Sequence, residues 1–298
     1  MRKIGEIIVR YGIGEWFGKL LSEMPQNVIS RYAKSALLSR PDLNCPSKTH
    51  NGIKTLCSKR GGVCSVRLYE KTNLDKSRPA DKNLVTLCPQ RFWEANLVFK
   101  EISRFLLGHE KPVLVKEVGF LIGEKNDDVG RIDSVLVVPN TKPLKWCAVE
   151  IQAVYFSGKK MDLEFNALIK QNSPDLPFPI AIRRPDFRSS GPKRLMPQLQ
   201  IKVPTLRRWG KKMAVVVDSS FFKAMGKMGR TSDVSNADII WFIMDYKIDR
   251  KKAKIFLSDI FFTTLEMAIT GLTAGQPVTL AAFEEDIVKR VPNGIIVS

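Results

Sequence analysis

Two neighbouring β-branched, apolar segments, Arg131 to Val138 and Trp146 to Tyr155, constrain this 298-residue chain more than any other stretch. The PNTKP connection between them is a turn former, and it favours an antiparallel hairpin. Three polar residues interrupt the pair: Asp133 in the first strand, Glu150 and Gln152 in the second. Strand side chains alternate, so Glu150 and Gln152 share a face. A sheet interior accepts carboxylates only when something compensates their charge. One such arrangement is a hard divalent cation held between the aspartate and the glutamate, with positions left for water and phosphate. The other is solvent, with Asp133 capping a strand end and Glu150 and Gln152 on a hydrated face.

Charge narrows the choice of partner. The chain carries +18 with an isoelectric point near 9.8, a balance suited to polyphosphates or anionic surfaces. Two segments hold most of the excess: 181–212, with ten Lys/Arg against one acid, and 45–91, with ten against three. Prolines interrupt both, which predicts extended loops tracking a phosphate backbone in place of an amphipathic membrane helix. Arginine forks read guanine and glutamine reads adenine, so Arg183, Arg184, Arg188, Lys193, Arg194 and Gln198 are the candidate contacts to double-stranded DNA. The longest apolar run, Ile239 to Met244, is too short to span a bilayer, and the first ten residues lack signal-peptide character. No membrane role and a cytoplasmic location are expected.

The rest of the chain frames this hairpin. Met1 to Ser39 has helical spacing, with Ile4, Ile7, Ile8, Phe17, Leu20 and Leu21 as a buried stripe and Gly12 and Gly14 separating two helices. Cys45, Cys57, Cys64 and Cys88 follow in a lysine-rich, loop-rich stretch. Without a secretion signal, four thiols so close in sequence point either to a four-thiolate metal site, with His50 as a substitute ligand, or to reduced thiols filling small gaps. Their spacing matches no common zinc finger. Gln90 to Leu107 predicts an amphipathic helix stopped by Gly108, and Val113 to Leu121 a strand. Within that strand Glu117 is either a further acid at the metal centre or a solvent-facing residue. Helices are predicted over Lys159–Gln171, Phe221–Met228, Phe262–Thr273 and Thr279–Arg290, and strands over Met213–Val217, Asp238–Tyr246 and Lys254–Leu257, while Ser173 to Arg208 shows no regular period. Cys147, alone on a strand, reads as a small packed hydrophobe. The fold class is α/β, a mixed central sheet flanked by helices, preceded by an N-terminal helical layer (1–40) and a cysteine-rich metal-binding insert (41–90); the core is 91–298, with a basic segment at 173–212.

Taken together, GRIDSVLV with AVEIQ, LCPQRFWE, and RRPDFRSSGPKRLMPQL resemble the NotI-type type II restriction endonucleases over most of residues 40 to 260. The resemblance implies a PD-(D/E)xK core, a Mg²⁺-dependent active site, a homodimer, a cognate DNA methyltransferase in the same host, and a four-cysteine iron site. Residue by residue it implies Asp133 and Glu150 as catalytic acids and Mg²⁺ ligands, Gln152 at the usual lysine position, and Cys45, Cys57, Cys64 and Cys88 holding iron, or zinc, since thiolate ligation does not separate the two. Two rival readings keep the same residues: a DNA-binding protein that does not cleave, and a structure-specific repair nuclease on the same core. A Ser/His hydrolase is disfavoured, since His50 and His109 are the two histidines and neither lies in a nucleophile motif.

Overall fold

The computed structural model describes residues 8–38, 42–50, 53–71, 77–80, 83–125, 127–158, 161–171, 175–249, 251–275 and 278–293, without the side chains of 49, 50 and 54. Strands β1 (Ile8–Trp16) and β2 (Val63–Lys71) pair antiparallel and centre a five-stranded sheet. Helix α1 (Gln26–Leu37) covers it, with Ile29, Tyr32, Ala33 and Ala36 buried. Here the N-terminal expectation is corrected: the segment holding Ile8, Gly12 and Gly14 is a strand, and Phe17, Leu20 and Leu21 pack beyond its end; Ile4 and Ile7 lie outside the described residues. Gly12 serves close approach, because a Cβ there would lie 2.7 Å from Pro179 Cγ and 3.0 Å from the Tyr69 ring. The cysteine-bearing stretch is likewise built largely of short strands, Asn44–His50, Ile53–Leu56, Ser77–Pro79 and Val85–Thr86, in place of loops.

A second, six-stranded mixed sheet forms the main body. Its members are β3 (Val113–Ile122), β4 (Asp128–Val138), β5 (Lys145–Ile151), β6 (Met213–Asp218), β7 (Ile239–Asp249) and β8 (Lys252–Thr263), in the spatial order β8-β7-β6-β5-β4-β3. Strand β6 runs parallel to both β5 and β7, and the remaining pairs are antiparallel. Strand β6 is buried on both faces and therefore reads as an unbroken apolar run. Met213, Val215 and Val217 enter one core, while Ala214 and Val216 enter the other.

Helix α2 (Leu97–Leu107) closes the second core with Val98, Phe99, Ile102 and Leu107 buried, each contributing about 1.5–3 kcal/mol by the usual transfer scale. The predicted helix from Gln90 is broken: residues Pro89–Asn96 form a kinked 3-10 segment, with Ala95 and Asn96 in the left-handed region. Along this stretch Phe92 and Ile102 are buried and Phe105 is exposed. Gly108 ends α2 at φ +64°, as a left-handed C-cap requires.

The first core is closed by α4 (Met196–Arg208), after α3 (Asp162–Lys170), and by α5 (Leu265–Thr273). The basic segment is thus corrected as well. Helix begins at Phe187, passes through a π turn at Gly191–Leu195 and continues to Arg208. Pro192 and Pro197 fall at the starts of the π turn and of α4, and Pro204 stands inside α4. Helix α6 (Leu280–Arg290) ends the regular structure. Among the described residues no helix is long and apolar enough to cross a membrane.

Candidate active site

The hairpin of β4 and β5 is antiparallel with Val149 opposite Ser134, and extending this register by one residue sets Glu150 opposite Asp133. Directly opposed strand residues on one face bring their side chains within reach. Glu150 shares its face with Ala148, which packs in the core that α4 closes. Strand β3 extends the row, because Lys116 pairs with Ser134 and Val118 with Ile132, which puts Glu117 beside Asp133 along the sheet.

Into this row reaches a residue that the sequence reading did not single out. Lys202 of α4 donates from Nζ to Glu150 Oε2 at 2.8 Å and lies 3.5 Å from Asp133 Oδ1. The lysine side chain is 3% exposed, Glu150 is 8% exposed and Asp133 is 64% exposed. One acid is therefore sealed and the other opens to solvent, with an ammonium between them. Burial pushes the Glu150 carboxyl up from its ordinary value; Lys202 opposes that shift, and the charge of Asp133 adds to it. A signal was present in the sequence: Leu195, Leu199, Val203 and Leu206 form the buried stripe of the helix, and Lys202 falls on the same stripe.

The other sequence candidates divide. Gln152 lies just past β5, where its backbone N–H donates to Val216 O at 2.9 Å and its amide nitrogen donates to Ala153 O at 2.5 Å. Glu117 is exposed, with φ +52°, and its carboxylate lies 3.8 Å from Arg131. Arg184, Arg188, Lys193, Arg194 and Gln198 are all exposed, and Gln198 stands one turn before Lys202. The Arg194 guanidinium lies 4.3 Å from the centre of the Tyr155 ring, which leaves the pair on the surface. Arg183 differs from this group: it is buried and its Nη2 lies 3.4 Å from the buried Glu164.

Cys45, Cys64 and Cys88 are buried and Cys57 is half-buried, all as free thiols. Among the described residues no three or more His, Cys, Asp or Glu side chains stand in metal-holding geometry. The thiols are nonetheless neighbours. Burial chiefly raises the Cys57 and Cys88 thiols, and the charges of Cys45 and Cys88 at Cys57, and of Cys45 at Cys88, push the same way. The Lys59 ammonium stands beside them and donates to Leu87 O at 2.5 Å. The side chain of His50 lies outside the described residues. Cys147 is packed in the second core, as its strand position predicts.

A mixed sheet that sets two acids side by side, next to a helical run with exposed arginines, is an arrangement suited to an enzyme that acts on nucleic acid. Residues 30–257 match the family described as Restriction endonuclease NotI. The chain belongs to that family of DNA-hydrolysing enzymes, which implies sequence-specific cleavage of DNA. A search of curated proteins finds no match.

Proposed function

We propose that this chain is a Mg²⁺-dependent type II restriction endonuclease with a PD-(D/E)xK-like core, whose centre is Asp133 and Glu150. The observation that carries the reading is the convergence of both carboxylates beside one another, each within 4 Å of the Lys202 ammonium, at 2.8 Å from Glu150 and 3.5 Å from Asp133, with Asp133 open to solvent for a metal ion. A carboxylate pair that gathers a cation, half sealed and half open, fits a hard divalent ion with room for water and phosphate. Mg²⁺ held there would lower the pKa of a water and stabilise charge on the phosphate under attack. Gln152 has a neutral amide and cannot act as a base, so its part is to orient the attacking water. Glu117, next along the row, is a further acid available to the centre. Arg184, Arg188, Lys193, Arg194 and Gln198 grip the DNA, whereas Arg183 supports the fold through Glu164.

Cys45, Cys57, Cys64 and Cys88 would hold a structural iron or zinc ion, a reading supported by their closeness in sequence and by the nearness of Cys45 and Cys88 to Cys57, while among the described residues they do not stand in metal-holding geometry. A twofold homodimer suits the task, since one active site cuts one strand and a symmetric pair reads a palindrome. A cytoplasmic location and a protecting methyltransferase in the same host go with that role.

Incubation of plasmid and genomic DNA with the protein and Mg²⁺ is expected to yield discrete fragments. Glu150→Ala should abolish them while leaving binding in Ca²⁺ intact. Uncut DNA at saturating wild-type protein, or undiminished cutting by the variant, refutes this assignment.

A further inference from the structure

Lys202 is the one charged residue among the buried positions of helix α4. The others are Leu199, Val203, Thr205 and Leu206, and nothing in the helix backbone requires a lysine at 202. An ammonium this deep costs several kcal/mol unless its partners hold it. Its partners are the acids of the proposed centre, from strands whose sequence positions lie 52 and more residues earlier.

Hydrolysis of a phosphodiester places growing negative charge on the phosphate oxygens and the leaving oxygen, and a fixed positive group nearby lowers that barrier. The hairpin's own cation near this row, Arg131, is half exposed and paired with Glu117 and Asp128. The hairpin's polar residues at the centre are two acids and the neutral amide of Gln152, whose nitrogen is turned to the Ala153 carbonyl. Lys202 stands at the boundary the substrate must meet: its Nζ contacts the sealed Glu150 and lies 3.5 Å from Asp133, the acid open to solvent. A phosphate approaching the open edge of Asp133 comes within about one contact distance of the ammonium.

Resting on the nuclease reading above, we propose that Lys202, delivered from helix α4, supplies the fixed positive charge of this centre in place of Gln152, two residues beyond Glu150. The helix thereby couples recognition to chemistry, because the run that presents Arg188, Lys193, Arg194 and Gln198 to DNA also seats the ammonium.

The test is single-turnover cleavage by Lys202→Met at saturating Mg²⁺ and DNA, beside wild type and Glu150→Ala. Wild-type cutting lost in Glu150→Ala establishes the nuclease; the lysine is judged against that wild-type rate. The cleavage rate of Lys202→Met is expected to fall about 100-fold, while Mg²⁺ half-saturation and DNA affinity in Ca²⁺ stay within about threefold. Adding Gln152→Lys to Lys202→Met should recover about tenfold by returning a cation to the strand. A rate within threefold of wild type, a loss erased by more Mg²⁺, or no recovery in the double variant overturns the proposal. Should Lys202→Met melt without cooperativity, Lys202→Gln, which keeps a hydrogen-bond donor to Glu150 but no charge, gives the same readings.

Discussion

Replacing Arg91 by methionine should unfasten the two sheets from each other. Arg91 is buried and its Nε donates to both carboxylate oxygens of Glu15 at 3.0 Å, while Nη2 donates to Ala253 O at 2.9 Å and Nη1 to Glu94 Oε2 at 2.8 Å. Glu15 belongs to β1 of the N-terminal sheet and Ala253 to β8 of the main sheet. Without the guanidinium, a fully buried Glu15 keeps only the Ser65 hydroxyl, 3.0 Å away, as a side-chain partner among these contacts, and the Ala253 carbonyl loses its donor. Breaking a buried pair from one side costs about 3–5 kcal/mol. At about 2 °C per kcal/mol for a chain of this size, the melting point should fall by about 6–10 °C. Differential scanning calorimetry measures the shift, and urea unfolding measures the free energy independently. Adding Glu15→Leu to Arg91→Met removes the stranded charge and should restore most of the loss. The exposed pair of Arg104 and Glu101 is the control, and Arg104→Met should cost under about 1 kcal/mol. A loss below about 1 kcal/mol in Arg91→Met would show that water or a shifted partner compensates Glu15, and the fastening argument would fail.

The two kinds of arginine in the basic segment should separate experimentally. Arg194→Ala is expected to reduce the slope of log affinity against log salt by about one with little change in melting point, whereas Arg183→Ala leaves the slope alone and costs about 3 kcal/mol through buried Glu164; equal salt slopes in both variants would contradict that division. Metal affinity should depend on pH through Glu150. Burial, its largest influence, raises the carboxyl above 4.5, so protons compete with Mg²⁺ and affinity is lost as pH falls through that raised value. Calorimetric Mg²⁺ titrations from pH 5 to 8 would locate the loss, and affinity constant down to pH 4.5 would rule it out. Cys64→Ser should release about one equivalent of iron or zinc by elemental analysis, since thiolate sites need their full donor set; an unchanged metal content removes Cys64 from the ligands.

Local pattern sufficed for the hairpin. Alternation, β-branching and a turn-forming connection are properties of ten to twenty consecutive residues, and so Asp133 and Glu150 could be named from sequence and are found opposite one another. The same holds for Gly108 at its helix end and for the doubly buried β6. Where local signals were ambiguous, the reading failed. Proline was taken to break the 187–208 run, although the chain stays helical past Pro192 and Pro197 at segment starts and past Pro204 inside α4, where Leu199, Val203 and Leu206 pack into the first core. Glycines at 12 and 14 suggested a helix boundary, although Gly12 permits close approach of Pro179 and Tyr69 to a strand. What only tertiary structure decided is the third member of the acid cluster and the burial of Arg183. Both depend on which distant segment packs against a given face, and that choice is set by burial summed over the whole core. Lys202 and Glu150 are 52 residues apart, and no short-range rule of spacing joins them.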